Sequence, residues 1–395
     1  MKKKSLIALV LVLTMSLAFL AACADDGPAG VNEDGEVTEI HIGLLANLTG
    51  AVAYFGISVQ QGAMLYIDNF NAQNELQIRV STRDEEGNAG IAVTMYHDLV
   101  DAGVTAILGS VISGTTIAVV NEAFPDNMHM ISATATQAGV TVNQDTGEVF
   151  TNMFRACFID PFQGLKMADF ASEILGAQTA AVLSAHDIDY SIGLRDAFVQ
   201  RAAEIGLEIV HEETFSNEQP DFMAQLTNIA NSNADVVFIP VYTQHMALIG
   251  PQSVSAGVTG TLLGADGWAG TIAAVADPAT VEGSFFLTGF TVESQEPHII
   301  DFIERFYDTH NIMPNMFAAQ AYDAAAILIA ALVRAVDAGL QPGTAEFKQA
   351  TIDNMAATDM YGVTGHITFD EYNNPQKTAF IIQIIDGEER FWGEF

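Results

Sequence analysis

Basic residues are scarce in this chain: 14 lysines and arginines stand against 49 aspartates and glutamates, a formal net charge of −35 at pH 7. Lys2, Lys3 and Lys4 sit at the extreme N-terminus, so the rest of the chain is more acidic still. Binding to nucleic acid depends on cations set against phosphates, and such a surface excludes it. Direct adhesion to anionic lipid is excluded on the same ground; the acidity speaks for solubility or a salty medium and says little about fold. Cysteine is equally rare, with Cys23 and Cys157 alone. One thiol beyond the leader builds no disulfide framework, so the fold must rest on its core. Past residue 22 no apolar run is long and clean enough to span a bilayer. "AAAILIAALV" (324–333) is short and flanked by Asp323 and Arg334, which predicts a core helix. Catalytic signatures are missing as well. The nine histidines show no HExxH or paired-ligand spacing, so no metal site is expected. No G-x-S-x-G elbow accompanies the serines, and no GxGxxG follows the first strand. The chain is therefore read as no enzyme and as carrying no cofactor.

What is present begins with "MKKKSLIALVLVLTMSLAFLAAC": three lysines, an uncharged apolar stretch and small residues before Cys23. That layout predicts a signal peptide over 1–22. "LAAC" resembles the lipobox of bacterial lipoproteins, in which the cysteine is lipidated and becomes the first mature residue. An ordinary cleaved signal with an incidental cysteine is the alternative. Residues 23–37, acidic and nearly free of apolar side chains, predict a disordered tether. The remainder is long enough for two domains.

From residue 38 strands and helices alternate. "TEIHIGLLANL", "LQIRVSTRDE", "VTAILGS" and "HMISATAT" read as strands, separated by helical spacing in "GISVQQGAMLYIDNFNAQ", "GIAVTMYHDLVDAG" and "TTIAVVNEAFPDN". The rhythm restarts at "PFQGLKMADFASEILGA" and runs through "QTAAVLSAHD", "ADVVFIPVY" and "GTLLGADGW". Strands separated by helices of this length imply βαβ crossovers, and two such series imply two doubly wound α/β lobes. Ligands of such sheets lie beyond the C-terminal strand ends. "GSVISGTT" (109–116), "SATAT", "SAHDIDY", "PVYTQH" and "GADGW" all fall there. The first is close to a phosphate-binding loop, but Thr115 stands where the lysine belongs. A helix start with free N–H groups favours any anion and does not require phosphate.

These loops, in order, resemble the type I periplasmic binding proteins, in particular the branched-chain amino-acid and amide-binding lipoproteins of ABC importers. The resemblance runs from about residue 38 to the end. It includes "IHIGLLANLTGAVAYFG", "DEEGNAGIAV", "GSVISGTT", "ISATAT", "NMFRACFIDPFQG", "GADGW", "AAQAYDAA" and "YGVTGHITFDEYNNP". It implies two Rossmann-like lobes joined by three crossover strands, near "FRACFID", "FFLTGFT" and "YGVTGHIT". One lobe would comprise 38–157 plus 291–360, the other 158–290 plus 361–395, with the ligand cleft between them.

By the same resemblance, Ser113 and Thr136 would hold a ligand α-carboxylate. Asp266 and the carbonyl of Thr134 would take an ammonium, and Tyr190 would pack over the ligand from the second lobe. Phe55, Ile112, Tyr242 and Trp268 would wall the pocket, joined by Tyr54 and Tyr322. Plain structural roles remain open for the same residues. Ser113 also suits a helix N-cap, Thr136 and Asp266 suit turns, and Tyr190 suits local packing. Phe55 stands where the family commonly has tyrosine, so one polar contact is absent. Cys157 is read as a buried small hydrophobe.

The function implied is a monomeric solute receptor, lipid-anchored outside a bacterial membrane, delivering a branched-chain or other apolar amino acid to an ABC permease. Binding of an amide, urea or small carboxylate is the alternative, as is a ligand-sensing module of a signalling system.

Overall fold

The computed structural model describes residues 29–32 and 34–395. The leader and Cys23 lie outside the described residues. Two α/β lobes are built, each around a mostly parallel sheet. In the first, β1 (Ala29–Val31) runs antiparallel to the start of β2 (Val37–Ala46). β3 (Gln77–Asp84), β4 (Ala106–Leu108), β5 (Met130–Ser132) and β6 (Met153–Arg155) complete a parallel sheet in the order β3-β2-β4-β5-β6.

Successive residues of these strands enter two different cores. Leu45, Ile107, Met130 and Met153 join Tyr96, Leu99 and Val120 from helices Ala89–Asp101 and Ser113–Ala123. Leu44, Leu108, Ile131 and Phe154 join Val59 and Ala63 of helix Ala53–Gln73 and Leu328 of helix Met316–Asp337. Covering on both faces is why these strands read as nearly continuous apolar runs. Helices 53–73 and 316–337 touch backbone to backbone, since a Cβ on Gly62 would lie 1.9 Å from the carbonyl oxygen of Ala318. Helix 316–337, which carries "AAAILIAALV", is long and apolar enough to cross a membrane by length and composition. It is mostly buried inside the first lobe.

The second sheet takes β7 (Thr179–Ala185), β8 (Glu208–Phe215), β9 (Val236–Phe238), β10 (Thr261–Gly264) and β11 (Phe285–Thr288), all parallel. After a separate hairpin of β12 (Asp359–Gly362) and β13 (Gly365–Thr368), the chain returns as antiparallel β14 (Phe380–Ile385) and β15 (Glu388–Glu394). The order is β15-β14-β11-β10-β9-β7-β8. In each sheet the first parallel strand, β2 or β7, has the next on one side and the third on the other. The winding reverses there, and a crevice opens at the strand ends.

Two expectations need correction. "YGVTGHIT" is the β12–β13 hairpin and pairs with neither large sheet. Asp323 of helix 316–337 anchors it, accepting from the N–H groups of Val363 (2.8 Å) and Thr364 (2.9 Å). The chain stays on the first lobe as far as Asn373, which donates to the carbonyl of Met153 (3.0 Å), and enters the second sheet at Phe380. Nor is all of 23–37 an unstructured tether: Ala29–Val31 is a strand. Asn32 turns the chain, its side chain accepting from the N–H groups of Asp34 (3.1 Å) and Glu36 (2.9 Å). Pairing to β2 uses backbone groups only, so it needs none of the apolar residues whose absence suggested disorder.

Candidate functional site

The phosphate-like loop is turned inward. Ser110 and Thr115 donate their hydroxyls to Glu85, which is fully buried at the end of β3; the Thr115 bond is 3.0 Å. Val111 N–H adds a longer contact of 3.4 Å to the same carboxylate. Burial pushes the Glu85 carboxyl up to about 7, against the pull of these donors. Thr115, standing where a P-loop lysine would be, thus serves the protein's own carboxylate. Helix 113–123 starts directly after, with Ile112 as N-cap and no side chain capping it. The Ser113 N–H, at the positive end of that helix, faces the cleft and the phenol oxygen of Tyr242.

Between the strand ends of the two sheets lies a cavity lined by Phe55, Val111, Ile112, Ser113, Thr134 and Phe317 from one lobe. Tyr190, Tyr242, Asp266 and Gly267 line it from the other. The lobes are closed on it: the rings of Phe55 and Tyr242 meet at 5.5 Å, and Tyr242 stacks on Tyr190 at 4.7 Å. The remaining room is about 20 Å³, little more than one water needs. A wider cavity of about 620 Å³ opens outside it between the lobes, sharing Ile112 and Tyr242.

Asp266 opens a short 3-10 turn after β10 and is 2% exposed. Its Oδ1 accepts from the Tyr190 hydroxyl (2.7 Å) and from Gln163 Nε2 (3.1 Å), and its own N–H donates to Gln163 Oε1 (3.0 Å). Gly267 N–H donates to the same Tyr190 oxygen (2.8 Å). A Cβ on Gly267 would lie 2.7 Å from that oxygen, so a glycine is required here. Burial pushes the Asp266 carboxyl up to about 6, while the Tyr190 and Gln163 bonds hold it down. A second carboxyl, Asp160, starts the helix after the first crossing and is fully buried. Burial, and then the charge of Asp266, drive it well above the usual carboxylate range. Among the described residues no group of three or more His, Cys, Asp or Glu could hold a metal ion.

A buried acid, a helix start and an apolar wall brought together across two lobes form a cleft whose chemistry suits a small polar molecule. Comparison with known proteins agrees. A family model described as periplasmic binding protein matches residues 39–389. The chain belongs to the periplasmic binding protein family. It is 26% identical over 365 residues to Leu/Ile/Val-binding protein homolog 3 of Brucella melitensis, covering 91% of this chain and 96% of that protein. Leucine-binding protein LivK from Thermotoga maritima is similar in structure, with a TM-score of 0.82 and 26% identity over 90% of this chain and 98% of that one. LivJ from Streptococcus pneumoniae, in complex with isoleucine, gives a TM-score of 0.79 at 28% identity, covering 89% and 98%. The two-lobed architecture is the type I fold of this family, whose members are extracytoplasmic receptors for solutes.

In this periplasmic binding protein the structure brings Phe55, Ile112, Ser113, Thr134, Tyr190, Tyr242 and Asp266 to one cavity. Four expected residues lie elsewhere. Thr136 does not line the cavity: its hydroxyl sits beside the Asp160 carboxyl without a hydrogen bond of normal geometry. Trp268 is fully buried under β10, its ring over Gly264 and its Nε1 donating to Ile239 O at 2.8 Å. Tyr54 stands outside the cavity, accepting from Asn315 Nδ2 (2.9 Å) and pressing its ring on Gly270 of the opposite lobe. Tyr322 packs between helices, 5.1 Å from Tyr66 and 5.0 Å from Phe302.

Sequence reasoning missed Val111, Gly267 and Phe317 in the lining, and Gln163 and Asp160 behind it. "FIDPFQG" carried the last two in plain view, as polar residues inside an otherwise apolar crossing. Arg155, fully buried, was also missed. It donates to the carbonyls of Ala135 (2.9 Å) and Gln137 (3.0 Å) and so fixes the loop that carries Thr134. Cys157 is buried, its thiol pushed up to about 12 by burial.

Proposed function

We propose that this chain is the solute receptor of an ABC importer, binding an amino acid with a branched-chain or other apolar side chain and passing it to a permease. One observation carries the reading: the cavity has a helix-start N–H at Ser113, a buried titratable carboxyl at Asp266, and Phe55, Ile112 and Phe317 in its walls. The carboxylate of a zwitterion suits the first, its ammonium the second, its side chain the third. The names of the relatives and the isoleucine complex of LivJ support the same class of ligand. Thr134 would add its carbonyl to the ammonium site, and Tyr190 and Tyr242 would cover the ligand. The cavity as closed is too small for an amino acid, so the lobes must part to admit one. The moving units we infer are 38–157 with 291–360 and the hairpin 359–368, which Asp323 holds to the first lobe, against 158–290 with 380–395. Lipidation of Cys23 would hold the receptor, as a monomer, at the outer side of the membrane.

Calorimetry tests the ammonium assignment with leucine and its deaminated analogue, 4-methylpentanoate. Loss of one partner of a buried charge pair costs roughly 2–5 kcal/mol. Asp266→Asn should therefore weaken leucine about 30-fold or more, at about 1.4 kcal/mol per tenfold, and weaken the analogue far less. Ser113→Pro, which removes the helix-start N–H at the first helical position, where proline is tolerated, should weaken both, because both keep the carboxylate. Unchanged leucine binding in Asp266→Asn would remove the amino-acid reading and leave an amide, urea or small carboxylate as the ligand.

A further inference from the structure

A second cavity lies where the lobes are joined. It measures about 580 Å³, within the range of small-molecule sites. Its walls come from the second crossing at Gly289–Thr291, the hairpin turn Val363–His366 and the third crossing at Gln376–Thr378. Phe380 and Phe391 of the second sheet close it. The lining is chemically lopsided. Phe290, Ile299, Phe380 and Phe391 make an apolar wall, and Lys377 is the only lysine or arginine within it.

The Lys377 ammonium donates to the Thr364 hydroxyl, and no ion pair among the described residues engages it. Asp323, whose charge acts on it, has its oxygens committed to Val363 and Thr364. An ammonium carries three donors, so two remain for an incoming group. Burial pulls Lys377 down to about 8, with Asp323 opposing, which leaves it largely charged at neutral pH. Glu293 and Glu296 stand exposed in the same lining, and their charges disfavour a second negative charge on any occupant.

We propose that this cavity is a second ligand site, taking a small organic monocarboxylate with its carboxylate on Lys377 Nζ and its apolar body against Phe290, Phe380 and Phe391. Because crossing segments form the wall, an occupant touches the parts of the chain that must flex when the lobes move, and its binding is linked to closure.

The probe is 4-phenylbutyrate, titrated calorimetrically into the full chain beside its neutral amide. The acid should bind at one site, and the amide about tenfold more weakly or worse. Lys377→Met, which keeps the stem and removes the charge, should cost the acid about tenfold or more, whereas Lys377→Arg should stay within about threefold. The interlobe cleft could also attract a carboxylate, so the locating control is Phe391→Ala, in the apolar wall of this cavity and outside the cleft, which should weaken the acid about tenfold. Equal affinity of acid and amide, undiminished binding in Lys377→Met or in Phe391→Ala, or no binding at all would each overturn the proposal. Should Lys377→Met fail to fold by circular dichroism, the acid–amide comparison together with Phe391→Ala decides. None of these outcomes depends on leucine being the cleft's ligand.

Discussion

Tyr190 places one hydroxyl between two groups, donating to Asp266 and accepting from Gly267 N–H. Tyr190→Phe removes both bonds at once in a cavity with room for little more than one water. Leaving such groups unpaired should cost about 1–3 kcal/mol of stability, read by chemical denaturation. A second effect separates this role from packing. Burial already holds the Asp266 carboxyl up at about 6, and Tyr190 is the first of the bonds that lower it. Without that bond the value rises. A ligand ammonium requires the ionised form, so amino-acid affinity in the native chain should fall as pH drops through about 6. In Tyr190→Phe the same fall should begin at higher pH. Calorimetry between about pH 5 and about pH 8 distinguishes the cases, since a packing defect would weaken binding equally throughout.

At the scale of the element, the loop 109–116 divides two tasks that a P-loop combines. Ser110 and Thr115 bind Glu85 from within, and the helix start is left to face the cleft. The folded value of Glu85, about 7, lies above its ordinary 4.5. Its contribution to stability is therefore complete below about 4.5 and lost as pH rises through about 7. Glu85→Gln removes that titration. Between about pH 5 and about pH 8 the native chain should lose about 2–3 kcal/mol relative to the variant, at 1.36 kcal/mol per pH unit. Parallel stability curves for the two chains would show that Glu85 does not titrate in this window.

What was legible in the sequence was periodic: alternating strands and helices, and the polar residues that end each strand. Orientation about an element was harder. Tyr54 and Phe55 are adjacent on one helix, yet only Phe55 turns into the cavity. Thr134 faces the cleft and Thr136 faces Asp160, although both sit in one loop of small hydroxyl residues. Trp268 follows the site aspartate but folds back over Gly264, where only the absence of a side chain makes space. Phe317 reaches the cavity from a helix that begins far downstream of the first lobe's strands. Its partnership with Phe55, at 4.8 Å between rings, exists only in three dimensions.

For the whole molecule, the closed contact of Phe55 and Tyr242 across the cleft implies an opening step before a ligand enters. Small-angle scattering should show a smaller radius of gyration with leucine than without it. An identical radius at saturating leucine would count against opening of the free form. The attachment proposed for Cys23 is tested separately. Cys23→Ala should leave the protein in the soluble exported fraction or unprocessed. A processed variant that still sediments with membranes would rule out the lipid anchor.

The small strand β1 bears on that attachment. It joins Ala29–Val31 to β2, so an anchor at Cys23 would moor the receptor by its first lobe. With Cys23 in the membrane, the six residues before the strand could span at most roughly 20 Å. That is only about two and a half Debye lengths in physiological salt, so a body carrying a formal −38, the −35 of the whole chain less the three leader lysines, could stand off from acidic headgroups but not wander. The receptor would then swivel about a fixed point under its first lobe. Its second lobe would be the half free to swing, and a docking permease would find the two at different reach.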